Sequence, residues 1–272
     1  MVTTALNVPG PAACARLRDW GAAIAKIEPP AGDPLATYAP AWYDELHRGI
    51  EVLRLDLKEP AGRSRMRERL AGADILVTAQ RPAALERMGL DPASLKSHER
   101  LVHVAITGHA APDEDLPGHD LTYLAACGLV VPPALPATLL ADMAGAERAV
   151  STALALVLGR MRSNATRAAA VPLADAARAL AQPRRAGLTR VGAPLGGGLA
   201  GYNLYATRSG WIAVAALEPR FEEGLARALG MARLEELALR EHFGQRTAEE
   251  WETWARERDL PIVAVRDPFD PS

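Results

Sequence analysis

One imidazole and two carboxylates stand in contexts suited to proton transfer: His119 in Leu116-Pro-Gly-His-Asp-Leu-Thr-Tyr123, Asp142 in Leu139-Leu-Ala-Asp-Met143, and Glu218 in Ala215-Ala-Leu-Glu-Pro-Arg-Phe221. A base on one side of a carbon acid and an acid on the other can remove a proton from one face and return one to the opposite face. Each residue also has an ordinary use. A histidine after glycine caps or packs, an aspartate near a long helix answers the helix dipole, and a glutamate before proline begins a helix. Residue type alone leaves both readings open. Arg81, next to Pro82 in the loop Thr78-Ala-Gln-Arg-Pro82, is placed to offer a guanidinium to phosphate, or is simply a solvated arginine.

The elements that must position these groups alternate. Pro11 to Trp20 reads as a helix and Gly21 to Glu28 as the strand after it. Glu51 to Leu57 reads as a strand, Pro60 to Leu70 as a charged helix, and Asp74 to Thr78 as a strand. Helical stretches at Ala83 to Met88 and Pro92 to Ser97 lead to a strand from Leu101 to Thr107. Strands separated by helices predict an α/β fold with a doubly wound, mainly parallel, Rossmann-like sheet. Such a sheet binds ligands beyond the carboxyl ends of its strands, which favours the loops after Thr78 and Thr107.

Long helices follow from Ala144 to Arg162 and from Pro172 to Ala181. Gln182-Pro-Arg-Arg-Ala-Gly187 then marks a boundary, giving a large domain over 1–182 and a smaller α+β domain over 183–272. The second domain reads as a hairpin around Gly210, helices at Pro219 to Leu229, Arg233 to His242 and Thr247 to Arg258, and a strand near Leu260 to Val265. A frayed tail is expected after it. Gly196-Gly197-Gly198 precedes the hairpin, so it is no dinucleotide fingerprint; it reads as a loop over a ligand or an interdomain linker. Neither a P-loop nor a G-x-S-x-G elbow occurs.

With 31 basic and 33 acidic side chains, the formal charge of −2 provides no global field for nucleic acid or an anionic membrane. Pro132, Pro133 and Pro136 interrupt the longest apolar stretch, which argues against a spanning helix. Two cysteines, Cys14 and Cys127, make no disulfide framework and no metal-ligand spacing. Together with the lack of a secretion-type N-terminus, this predicts a cytoplasmic protein without a metal site.

Several segments recur in one order in a known family: Val8-Pro-Gly-Pro11, Trp20 through Pro34, Leu55-Asp-Leu-Lys-Glu-Pro-Ala-Gly62, Ala73-Asp-Ile-Leu-Val77, Arg81-Pro82, Leu85-Glu-Arg-Met-Gly-Leu90, and Leu101 through Gly108. In them the chain resembles the family III CoA-transferases, which include formyl-CoA and carnitine CoA-transferases and α-methylacyl-CoA racemases. The resemblance implies that Asp142 is the shared carboxylate, a nucleophile in the transferases and an acid/base in the racemases. His119 and Glu218 resemble the racemase branch, where the glutamate supports the histidine opposite the aspartate. The implied reaction is racemisation or epimerisation of a 2-methylacyl-CoA through an enolate. The enolate oxygen would be stabilised by backbone N–H groups where a helix begins near Asp142. A CoA-transferase and an inactive CoA-binding paralogue are the alternatives.

The resemblance further implies no permanently bound cofactor, with coenzyme A present as part of the acyl-CoA substrate. Its adenine and phosphates would lie against Lys26, the segment Leu55, Asp56, Leu57 and Lys58, and Arg81. It also implies an interlocked homodimer in which Glu218 meets His119 of the other subunit. The chain departs from the pattern where Ala146-Glu-Arg148 replaces a glycine-rich stretch and where Arg48-Gly-Ile-Glu51 replaces a basic pair. It is shorter than full-length members, beginning within the implied first strand and ending before the segment that returns to the large domain.

Overall fold

In a computed structural model that describes residues 1–162 and 166–267, the chain divides into two units, Met1–Ala181 and Gln182–Ser272. The first unit runs β1 (Val2–Thr3), α1 (Pro9–Asp19), β2 (Ala25–Glu28), α2 (Leu35–Tyr38), α3 (Pro40–His47), β3 (Glu51–Arg54), α4 (Pro60–Ala71), β4 (Ile75–Thr78), α5 (Pro82–Met88), β5 (Val102–Thr107), α6 (Asp120–Ala126), α7 (Leu140–Arg162), β6 (Ala168–Pro172) and α8 (Leu173–Leu180). Helices α1, α3, α4 and α5 begin at prolines, whose fixed φ suits the first turn and whose missing N–H would have been unpaired there anyway.

All six strands are parallel, in the order β3-β2-β1-β4-β5-β6. Strand periodicity sends alternate side chains to opposite faces. On one face Ile75 and Val77 of β4 join Leu17 of α1 and Val150 and Ala153 of α7. On the other, Leu76 packs with Met66 and Leu70 of α4 and Leu85 of α5. Helices therefore cover both faces, as the alternating pattern predicts.

Several elements differ from the reading above. Helix α7 starts at Leu140, four residues earlier than its apolar spacing suggests, so Asp142 lies inside the first turn. Strand β6 was not anticipated, because alanines carry no strand preference; its parallel pairing with β5, from His103↔Ala168 to Thr107↔Pro172, decides its conformation. The stretch Ser94–Ser97 is a short 3-10 turn, and α2, α3 and α6 had no sequence forecast. Among the described residues no helix is long and apolar enough to cross a membrane.

The second unit holds α9 (Gln182–Arg185), β7 (Tyr202–Ala206), β8 (Trp211–Ala215), α10 (Pro219–Ala228), α11 (Glu236–Phe243), α12 (Ala248–Arg256) and β9 (Ile262–Ala264). Its sheet is antiparallel in the order β7-β8-β9, and Gly210, at φ 84°, turns the β7–β8 hairpin. Tyr205, Phe243 and Trp251 fill its core. Thr247 and Glu250 cap α12 reciprocally, with the Glu250 N–H donating to Thr247 Oγ1 and the Thr247 N–H to Glu250 Oε2. The glycine run is tightly folded, not an open linker. A Cβ on Gly196 would lie 1.8 Å from the Arg190 carbonyl oxygen, and the Gly198 N–H donates to Ala193, which makes this a tight turn. The tail expected after Val265 falls mainly on residues 268–272, outside the described residues.

Candidate functional site

The strand order reverses between β1 and β4, and there the connections leave in opposite directions and open a crevice at the carboxyl ends. A cleft of about 220 Å³ occupies this position. Asn7 follows β1, Arg81 follows β4 and Thr107 ends β5, and all three line it together with His119, Tyr123 and Asp142. Three of the residues singled out in the sequence, Arg81, His119 and Asp142, therefore share one cavity.

His119 is the exposed N-cap of α6, in extended conformation, and its N–H donates to Thr122 Oγ1 at 3.0 Å. The next residue holds the site together. Asp120 is buried, and its Oδ1 accepts from the N–H groups of Ala141 and Asp142 at 2.7 and 3.0 Å, capping α7 from a distant segment. Asp142 is 9 % exposed. Burial, and secondarily the Asp120 carboxylate, push its carboxyl up to about 6.

The same cap overturns one expectation. The Leu140 N–H donates to the Thr138 carbonyl at 3.1 Å and the Met143 N–H to Leu139 at 3.0 Å, while Asp120 takes the two between. All four N–H groups at the start of α7 are engaged, so none is free for an enolate oxygen.

Arg81 caps α5 through its carbonyl, and its exposed guanidinium has no ion-pair or hydrogen-bond partner among the described residues. Lys26 corrects the expectation placed on it. It is 1 % exposed, and its ammonium is held by Asp33, by Glu28 at 3.1 Å and by His47 Nε2 at 2.7 Å. His47 Nδ1 donates to the Tyr43 carbonyl at 2.6 Å, which leaves Nε2 to accept from the lysine. Glu28, Asp33 and His47 are ligand types that gather around metals, but the lysine already supplies the positive charge there. The network reaches the cleft indirectly: Asp33 Oδ1 accepts from the Asn7 N–H at 2.9 Å and fixes that residue at φ 68°.

Leu55, Asp56, Leu57 and Lys58 follow the edge strand β3 and are absent from the cleft lining. Leu55 and Leu57 pack on the α4 core, and the Asp56 carboxylate accepts from the Lys58 N–H at 2.9 Å, a turn-forming use. Glu147, a departure from the family pattern, pairs with Arg16 of α1 at 3.0 Å. Glu218 lies in the second unit as the exposed N-cap of α10, with no partner for its carboxylate among the described residues. Asp120 and Tyr123 stand in the same motif as His119, but the sequence assigns a role to neither; only the fold shows Asp120 capping α7 and Tyr123 lining the cleft.

Fold and site together define a doubly wound α/β protein whose cleft lies at the switch in strand order and carries a buried carboxyl and an imidazole. The chain belongs to CoA-transferase family III, which matches residues 1–270. It is 40% identical over 135 residues to the cinnamoyl-CoA:phenyllactate CoA-transferase of Clostridium sporogenes, covering 44% of this chain and 33% of that protein. It is 28% identical over 250 residues to the alpha-methylacyl-CoA racemase of Homo sapiens, covering 82% and 62% respectively. The chain thus spans less than two thirds of the length of either relative. A crystal structure of the hypothetical protein Rv3272 from Mycobacterium tuberculosis has the same fold, with a TM-score of 0.80 at 23% identity over 99% of this chain and 84% of that one.

Proposed function

We propose that the chain racemises or epimerises 2-methylacyl-CoA thioesters by proton transfer at the α-carbon. The observation that carries this reading is the presence of His119 and Asp142 in one cleft, with the Asp142 carboxyl raised to about 6. A nucleophilic carboxylate needs no imidazole facing it, whereas inversion needs a proton acceptor and a proton donor. An acid/base group also works best when its pKa lies near the working pH. The α-proton passes to one of the two groups, the C–H electron pair moves onto the thioester oxygen as an enolate, and the other group returns a proton to the opposite face. Arg81 holds a phosphate of the CoA moiety at the rim. Glu218 orients the imidazole, from a second subunit in a homodimer.

The second reading is CoA transfer, with Asp142 attacking the thioester carbonyl to give an anhydride and free CoA thiolate. The 40% identity to a CoA-transferase favours it. One experiment separates the two. Purified protein is incubated with 2-methylacyl-CoA in deuterated solvent and the α-position is followed by mass spectrometry. Deuterium incorporation that Asp142→Asn abolishes is the expected result. No incorporation, with a hydroxylamine-cleavable acyl or CoA adduct on Asp142, replaces racemisation by transfer. Neither signal across acyl groups removes both and leaves a CoA-binding paralogue.

A further inference from the structure

Asn7 lines the cleft half-buried, at φ 68°, in the left-handed region that glycine enters most readily. Asparagine tolerates this conformation, and it brings a carboxamide that glycine lacks. That carboxamide has no hydrogen-bond partner among the described residues; Asp33 takes only the backbone N–H. A donor and an acceptor are therefore left for something that enters the cleft.

The loop that carries Asn7 is fixed from several sides. Thr3 Oγ1 donates to the Val77 carbonyl at 3.0 Å and accepts from the Ala5 N–H at 3.1 Å. Thr4 Oγ1 donates to Gln80 Oε1 at 2.7 Å, and Gln80 Nε2 donates back to the Thr4 carbonyl at 2.6 Å. Gln80 adjoins Arg81, so this reciprocal pair ties the loop of Asn7 to the loop of the free guanidinium. Asp33 completes the hold on Asn7, and it is itself buried against Lys26. Gly10 lets α1 approach the same loop, since a Cβ there would lie 2.2 Å from that of Ala5. A carboxamide on so rigid a support loses little freedom when it binds.

The chemistry of the group selects its complement. A carboxamide is neutral, so phosphate is better served by Arg81, and it has no titratable proton to give an α-carbon. A secondary amide offers a donor and an acceptor, and matches both ends of it. CoA carries such amides along its pantetheine arm, between the phosphates and the sulfur. With a phosphate at Arg81 and the thioester at Asp142 and His119, that arm has to cross the cleft that Asn7 lines. We infer that Asn7 is a specificity-determining residue whose carboxamide hydrogen-bonds a pantetheine amide. The inference rests on the CoA-binding part of the proposed function, and it holds whether the bound thioester is racemised or transferred.

The test is a cycle of calorimetric titrations. Wild type and Asn7→Gly are each titrated with CoA, with the phosphorylated ADP half of CoA, and with a CoA analogue that has esters in place of the arm amides. Glycine keeps the left-handed backbone and removes only the carboxamide. The expected result is CoA binding weakened roughly 3- to 10-fold in the variant, with binding of the ADP half unchanged. The ester analogue should bind wild type more weakly than CoA does, and this penalty should shrink in Asn7→Gly, because the contact it breaks is already gone. Equal CoA affinities overturn the inference. So does an equal loss for CoA and its ADP half, which would make Asn7 a support for the Arg81 loop, and so do ester and glycine losses that simply add. If wild type binds neither CoA nor its ADP half, the CoA reading falls and the inference with it; binding of both with unchanged ratios removes Asn7 alone.

Discussion

Asp120 Oδ1 accepts hydrogen bonds from the N–H groups of both Ala141 and Asp142, so the residue beside His119 clamps the first turn of the helix that carries Asp142. The two candidate proton-transfer groups, His119 and Asp142, lie 23 positions apart in the chain, but one carboxylate ties their backbones together. It also places a negative charge beside Asp142 and contributes to its raised pKa, after burial. Positioning and tuning thus come from one side chain.

Replacing Asp120 by asparagine separates these effects. The amide oxygen can still cap α7, but the charge is gone, so the acid limb of the pH profile for α-proton exchange should move to lower pH. Asp120→Ala loses the cap as well, at about 1 kcal/mol of stability. An acid limb that stays in place in the asparagine variant would show that Asp120 has no electrostatic effect on Asp142.

Asp142 itself predicts a pH-dependent stability. Its carboxyl, ordinarily near 3.8, is raised to about 6 in the fold, so the native state holds its proton more tightly than the unfolded chain does. Stability is greatest below the unfolded value and is lost as pH rises through about 6, reaching a penalty on the order of 3 kcal/mol at pH 8. Asp142→Asn should therefore be inactive yet more stable than wild type at pH 8, with the difference vanishing near pH 4. Urea titrations at the two pH values measure this, and equal stabilities at pH 8 would contradict the burial of a charged Asp142.

The parts of this arrangement legible in the sequence were those with a local pattern. Alternating apolar runs gave the strands β2 to β5, and prolines marked the helix starts. Strand β6 was hidden, because Ala168 to Ala170 become a strand only by pairing with β5. The cap by Asp120 was hidden for the same reason: its partners lie 21 and 22 residues away. Lys26 misled because a lysine in a strand looks like a surface charge until Glu28, Asp33 and His47 fold around it. His119, Asp142 and Glu218 each stand at a helix start, so their structural uses hold alongside any chemistry.

Lys26→Met removes the ammonium that Glu28 and Asp33 share in a buried site. Leaving such partners uncompensated costs about 3 to 5 kcal/mol. A sharp fall in the urea midpoint is expected. Unchanged stability with weakened CoA binding would instead return Lys26 to the role of a direct phosphate contact.

Glu147 presents the opposite case. Its pairing with Arg16 joins side chains that are each about half exposed, a setting worth between roughly 0 and 1 kcal/mol. Glu147→Gln should change stability by less than that, with a smaller effect at high salt. Exchange activity should persist because the carboxylate is turned towards α1. Loss of exchange in this variant would mean that the charge reaches the substrate.

Arg81 offers the most direct probe of CoA recognition. Its guanidinium stands at the cleft without a partner, so removing it breaks no interaction within the fold, and stability should shift by less than about 0.5 kcal/mol. A charge-assisted hydrogen bond to phosphate is worth roughly 1.5 to 3 kcal/mol, which corresponds to a 10- to 100-fold loss of affinity. Arg81→Gln should therefore weaken CoA binding by that factor in calorimetric titration. Part of the wild-type affinity should also disappear as salt screens the contact, so the variant should show a shallower salt dependence. Equal affinities at low salt would remove Arg81 from the phosphate site and move the search to the other residues that line the switch-point cleft.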